Sequence, residues 1–257
     1  MPRLARIRIY PVKSLDPEEL ESATLLASGG LEGDRQFALA DEFGALMNAK
    51  RMARMQRLRS SCRPAERRLR LRFDDRDESF DVDADQPRLE RWVSEVLEQP
   101  LRWVENPHGG FPDDTEFPGP TFVSSATLET IADWFGLPVD EVRLRFRANL
   151  EIGDVAPFWE DRLYAGVGEH VTFRVGGAVF FGTNPCQRCP VPARSPFTGE
   201  ADAGFQKRFA DLRRESLPAW ADRSRFDHYY RLAVNTRYGG GAREIHLGDP
   251  VEILDAE

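Results

Sequence analysis

The spacing of apolar positions changes several times along the chain, and each change marks an element. "ARIRIYPV", residues 5–12, alternates at period two and predicts a strand. "ESATLLASGGLEGDRQFALADEFGALM" predicts a strand, a turn at Gly29-Gly30, and a hairpin. In that hairpin "QFALAD" pairs with "ALMNA" around Glu42, Phe43 and Gly44. "RLRLRF" and "SFDVDA" alternate again, an antiparallel pair joined through acidic turn residues. The period then becomes helical. Leu89, Trp92, Val93, Val96 and Leu97 share one face, and Asp85 with Pro87 suits the helix start. "ENPHGGFPDDTEFPGPTF" is dense in Pro, Gly and Asp and reads as a linker over residues 105–120. Beyond it Ser124 or Ser125 caps a helix that turns Leu128, Ile131 and Phe135 inward and stops at Gly136. "VRLRFRANLEI" and "HVTFRVGGAVFFGT" read as strands. "FQKRFADLRRE" places Phe205, Phe209 and Leu212 on one helical face. "YYRLAVNTRY", "REIHL" and "DPVEILDA" close the chain as short strands. The pattern predicts an α+β protein, mainly β and antiparallel in flavour. A β-rich N-terminal domain covers 1–105 and a second domain covers 106–257. The alternating βαβ pattern of a doubly wound sheet is missing.

Composition narrows this picture. A chain of 257 residues with 41% apolar and 30% charged positions is an ordinary globular protein with room for two cores. Its net charge of −8 excludes a global electrostatic footprint for nucleic acid. Lys50–Arg72 is rich in arginine and Phe73–Asp85 in acid. These are either two solvated strand faces of complementary charge or an anion-facing surface. "MPRLARIRIY" has no secretory apolar region, and no run of ~18 apolar residues could span a membrane. Three cysteines form no framework of pairs, which points to a reducing, cytoplasmic compartment.

"GTNPCQRCPVPARSPFTGE", Gly182–Glu200, carries the candidate chemistry. Cys186 and Cys189 have the spacing of a zinc half-site, but Cys62 is the remaining cysteine and the four histidines show no paired spacing. A dithiol redox pair would want Cys186 at a helix N-terminus, and Pro190 with Pro192 forbids a regular helix there. A structural reading, two small residues in a tight loop, also stands. Prolines on both sides stiffen the segment, and Arg188 and Arg194 make it cationic. Such a thiol-bearing loop suits a soft metal on an anionic carrier.

"NPCQRCPVPARSPFTGE" resembles the cysteine segment of MOSC domains, found at the C-terminus of molybdenum cofactor sulfurases and in their relatives. "IYPVKS" and "GLEGDRQFALAD" resemble the N-terminal β-barrel domain that precedes it, and "RFRANLEI" and "GDPVEIL" the rest of the MOSC domain. The resemblance spans nearly the whole chain and extends to amidoxime reducing components. It implies an N-terminal β-rich domain followed by a MOSC β-barrel with peripheral helices, and a cleft between them. It implies a molybdenum–pyranopterin cofactor with Cys189 as the catalytic metal ligand and Cys186 as a structural neighbour. Lys13, Ser14 and Arg35 would meet the cofactor's phosphate, and Ser124 and Thr127 would add hydroxyls. Arg147, Asn149 and Arg188 would hold the pterin and its anionic parts, and Tyr229 would stand near the metal. The implied activity is reduction of N-hydroxylated or related N- or S-oxygenated small molecules by oxygen-atom removal. The alternative is a carrier or sulfur-transfer module without turnover. The local turn after "KS", here "LDPEEL", departs from many relatives. Three cysteines cannot both build an iron–sulfur cluster and supply Cys189, and the length excludes a pyridoxal-phosphate domain. Electrons are therefore expected from a separate ferredoxin-, flavin- or cytochrome b5-type protein. Arg188 and Arg194 would steer such a donor or orient the cofactor. Neither nucleic acid nor membrane is expected as a partner.

Overall fold

A computed structural model of the chain describes residues 1–254, so the last residues of "DPVEILDA" lie outside the described part. The N-terminal half runs β1 (Arg3–Ile9), β2 (Glu18–Leu20), β3 (Ser22–Thr24), β4 (Phe37–Ala40), β5 (Arg59–Arg63), β6 (Arg68–Phe73) and β7 (Arg76–Asp81). Helix α1 (Gln86–Leu97) and β8 (Arg102–Glu105) follow. The alternation of "RLRLRF" does what period two requires: Leu69, Leu71 and Phe73 are buried and the arginines between them are exposed. Those arginines pair with the following acidic segment, Arg70 with Asp77 and Arg68 with Asp81, so the charge split is two complementary solvated faces. Helix α1 seals the other side. Its Leu89, Trp92, Val93, Val96 and Leu97 are buried, each worth about 1.5–3 kcal/mol of apolar transfer.

The C-terminal half runs β9 (Phe122–Ser124), α2 (Ser125–Phe135), α3 (Val139–Phe146), β10 (Leu150–Gly153), β11 (Val171–Val175) and β12 (Ala178–Gln187). It ends with α4 (Phe205–Glu215), β13 (Arg231–Gly241), β14 (Glu244–His246) and β15 (Val251–Ile253). One eight-stranded sheet, in the order β15-β11-β12-β13-β9-β10-β1-β2, dominates. It takes β1 and β2 from the N-terminal segment, with Ile7 opposite both Leu150 and Leu20. The sheet curls back on itself. Leu4 N donates to Asp249 O, Val251 N donates to Pro2 O, and Arg3 bridges Pro250. The resulting core is filled by Phe122, Phe173 and Phe180, packed edge-to-face and stacked at 5.1–5.6 Å.

Four expectations change. The sheet is mixed rather than antiparallel throughout, because β9 and β10 run parallel. The hairpin after β4 shrinks to a single bridge, Ala40–Leu46, and β4 pairs instead with β8. "VRLRF" is helical, the end of α3. Pro138 opens this helix, Asp140 and Glu141 occupy its first turn, and Glu141 pairs with Arg145 one turn later. Val142 and Phe146, four apart, are its buried pair, so the apparent alternation concealed a helical face. On α4 the third inward residue is Arg213 and not Leu212, because buried Asp161 supplies a counter-ion. The Pro/Gly-rich connection is ordered against both halves. A Cβ on Gly110 would come within 2.4 Å of Asp34 O, and one on Gly119 within 2.5 Å of Thr236 O.

Candidate functional site

A cleft of about 740 Å³ opens between the two halves. That volume accommodates a ligand of cofactor size. Its N-terminal wall contains Ser14, Arg35 and Asn48, its C-terminal wall Arg147, Arg188 and Cys189, and the 112–119 segment lies across it.

Local structure explains how the side chains reach it. Ser14, Arg35 and Arg147 all hold left-handed backbone, with φ of 70°, 50° and 54°. Each costs about 1–2 kcal/mol for a non-glycine residue. Such strain concentrates where surrounding structure must aim a side chain. Arg147 is the residue that ends α3, so the helix terminus turns it out of the helix and into the cleft. Tyr10, fully buried, lies beneath both cations, with the Arg147 guanidinium 4.1 Å and the Arg35 guanidinium 5.3 Å from its ring centroid. Asp34 fixes Arg35 by an ion pair and accepts from Tyr10 N at 2.8 Å. Burial pushes Arg147 below the usual arginine range and neighbouring Arg35 adds to this. One terminal nitrogen of Arg147 is buried with no hydrogen-bond partner. An arginine nitrogen left so, beside a second cation, is a site for an anion.

Cys186 belongs to β12 and Cys189 to the turn beyond it, where Arg188 N donates to Tyr230 O at 3.0 Å. Arg188 donates to Phe146 O and, at 3.3 Å, to the Cys186 sulfur. Arg145 donates to Pro192 O at 3.0 Å. These bonds lock the cysteine turn to the end of α3. Arg194 donates to Ala49 O at 3.0 Å, and Arg59 to Pro196 O at 3.0 Å, so the same turn is also clamped to the N-terminal half. Burial pushes the Tyr230 phenol up, with Arg188 and Cys189 close enough to act on it, and its hydroxyl has no partner.

Of the residues singled out in the sequence, Ser14, Arg35, Arg147, Asn149, Arg188 and Cys189 line the cleft. Asn149 spends its amide internally, donating to Arg8 O at 3.1 Å and accepting from Thr121 N at 3.3 Å, so it braces β1 against β9. Ser14 Oγ accepts from Ala49 N at 3.2 Å. Lys13 lies just behind the wall and donates to Phe111 O at 2.8 Å and Asp113 at 2.5 Å. Ser124 and Thr127 are elsewhere. Ser124 caps α2, and both hydroxyls are buried against Glu160, with Thr127 Oγ1 3.0 Å from its carboxylate. Tyr229 stacks on Phe226 at 5.4 Å against the barrel core and does not line the cleft. Tyr10 and Asp113 went unnoticed in the sequence, and Arg145, two residues before Arg147, is the arginine that the family motif passes over. For Arg145 a signal existed, the i, i+4 spacing from Glu141. For Tyr10 and Asp113 none did, since their partners are remote in sequence.

Among the described residues no three His, Cys, Asp or Glu side chains converge on one point. A metal at Cys189 must therefore bring most of its ligands with it. Among the described residues no helix is long and apolar enough to cross a membrane.

The model of the MOSC N-terminal beta barrel domain matches residues 1–100, and that of the MOSC domain matches residues 121–252. A molybdenum cofactor sulfurase of Caenorhabditis elegans is 25% identical over 130 residues, 49% of this chain and 17% of that protein. The chain thus spans a small part of that relative. The crystal structure of YiiM from Geobacillus stearothermophilus aligns over 53% of this chain and 54% of its own, with TM-score 0.35 and 14% identity. That of a hypothetical protein aligns over 100% and 70%, with TM-score 0.45 and 11% identity.

Proposed function

This chain belongs to the MOSC family, with that family's N-terminal β-barrel domain ahead of the MOSC domain, and from that premise we propose that it binds a molybdenum–pyranopterin cofactor and reduces N-hydroxylated or related N- or S-oxygenated small molecules. The observation that carries this reading is one cleft that unites a thiol, Cys189, with the buried, partly unpartnered cation Arg147. The donor set fits the group. Thiolate suits a metal already carrying sulfur ligands, and Arg35, Arg147 and Lys13 suit an anionic tail. When bound, the cofactor supplies two-electron redox chemistry at a thiolate-ligated metal.

The chain's own residues would do the rest. Arg35 and Arg147, held over the Tyr10 ring, bind and orient negative charge. Arg188 and Arg145 hold the cysteine turn still, so Cys189 enters the cleft in one geometry. Oxygen would leave the substrate as water after uptake of two electrons and two protons. The electrons would come from a separate donor protein at the cleft mouth. Arg194, bonded to Ala49 O, serves the clamp between the halves in this reading. A second reading, a cofactor carrier or sulfur-transfer module, draws support from the sulfurase relative.

Protein made in a cofactor-competent host decides between them. Metal analysis should find molybdenum in the wild type and none in Cys189→Ala, with unchanged circular dichroism. Hydroxylamine or amidoxime reduction with a chemical electron donor should then follow molybdenum content. Loading without turnover, together with transfer to an apo-enzyme, would establish the carrier. One equivalent of zinc and no molybdenum would overturn both.

A further inference from the structure

The segment 111–118 ends in two places where the backbone cannot move aside. Gly110 is pressed on Asp34 and Arg35, and Gly119 on Thr236. Phe111 N donates to Arg35 O at 2.8 Å, and Gly119 N to Thr236 O at 3.1 Å. Between these anchors the strap crosses the cleft and carries Asp113. Its carboxylate meets Lys13, which is 6% exposed and has no other acidic partner among the described residues, whereas the Asp113 side chain itself is 79% exposed. The cleft walls around this water-contacting side chain would push the Asp113 carboxyl up, but Lys13, then Arg35 and Arg147, outweigh them and hold it below the usual carboxylate range. Asp113 thus pairs with Lys13 in the cleft that Arg35 and Arg147 also line. Arg147 offers a buried nitrogen that no protein atom fills. Further along, the strap is held by polar contacts at the surface, Asn235 to Asp114 at 3.2 Å and Arg237 to Glu116 O at 3.0 Å.

We propose that Asp113 is a built-in competitor for the ligand's anionic group: its carboxylate holds Lys13 at the cleft wall beside Arg35 and Arg147, and a phosphate-type anion enters by displacing it and releasing the strap. This makes Asp113 a specificity-determining residue. A monoanionic or neutral group gains little by replacing a carboxylate already in place. A dianionic phosphate carries more charge and more acceptor oxygens to the same three cations. The tail chemistry rests on the cofactor reading above, whereas the displacement rests on the cations alone.

The test uses the full chain from a host unable to make the cofactor, with inorganic pyrophosphate as probe. Calorimetry should show about ten-fold tighter binding to Asp113→Asn than to wild type, since the latched fraction no longer competes. Asp113→Ala should behave alike, and Asp133→Asn, on exposed α2 surface, should leave affinity unchanged. Lys13→Met should weaken binding. In hydrogen exchange, pyrophosphate should deprotect amides of 111–118 in wild type. In Asp113→Asn those amides should exchange fast without ligand. Equal or weaker binding by both Asp113 variants, or protection of the strap on binding, would overturn the proposal. Failure of the cofactor reading looks different: the pyrophosphate results would hold while molybdenum stayed absent from protein made in a competent host.

Discussion

At the scale of single residues, Tyr10 links core and cleft. It is fully buried, its ring carries Arg35 and Arg147, and its hydroxyl donates to Ala148 O at 3.4 Å. Removing the ring should cost about 3–5 kcal/mol, as for other buried aromatics. Removing only the long hydrogen bond should cost about 1 kcal/mol or less. Denaturant titration of Tyr10→Ala and Tyr10→Phe checks both values. Tyr10→Phe should also keep anion binding, because the face beneath the arginines remains. Cys189 behaves differently. It is half-buried, and Cys189→Ser should leave the melting temperature within a few degrees and, on the proposed cofactor reading, abolish molybdenum loading. A loss of fold in Cys189→Ser would show that the thiol is structural.

At the scale of elements, the cysteine strand β12 depends on a close approach. A Cβ on Gly182 would lie 1.8 Å from Leu163 O. Gly182→Ala should therefore destabilise the protein by about 3 kcal/mol or more, visible as a drop in thermal midpoint, with cofactor content falling as β12 shifts. Glu141→Ala should release Arg145 from its ion pair and loosen its hold on Pro192 O, lowering molybdenum retention more than stability. The elements were legible wherever one period ran without interruption. β6 paired with β7, α1 showed its five-residue face, and "HVTFRVGGAVFFGT" was strand, although the turn at Gly176 and Gly177 that splits it into β11 and β12 went unread. Reading failed where two periods coincide. In "VRLRFR" an arginine at every second position imitates a strand, and only the i, i+4 pairs Val142–Phe146 and Glu141–Arg145 show the helix. Of the candidate site, the cysteine turn stood out by its own residues, whereas Arg35 and Arg147 were marked by the family motifs alone, and the left-handed backbone that aims them was not readable. The roles of Ser124 and Thr127 were not readable either, because a helix cap and a ligand contact use the same hydroxyls: here Ser124 Oγ caps α2 and Thr127 Oγ1 donates to the buried carboxylate of Glu160.

At the scale of the whole molecule, that buried carboxylate sets a pH response. Burial, and then the charge of Asp161, push Glu160 up to about 7 from an ordinary 4.5. Asp161 is pushed up by burial as well, although Arg213 opposes it. The folded protein thus keeps a proton that the unfolded chain releases between those two pH values. Stability should fall as pH rises from about 4.5 to about 7 and level off above, with a slope of at most about 1.4 kcal/mol per pH unit for one proton. Glu160→Gln should flatten that slope in urea titrations taken across the window. The curl of the large sheet has a consequence of another kind. Residues 2–4 bond to residues 249–251, and β1 lies between β2 and β10. As the chain is made, β1 can pair early with β2, but its other edge waits for β10, and residues 2–4 wait for residues 249–251. Until then its apolar face and open backbone edge are available to any other nascent chain. In dilute refolding that exposed edge should favour pairing between chains, so added chaperone is expected to raise the soluble yield, checked by light scattering.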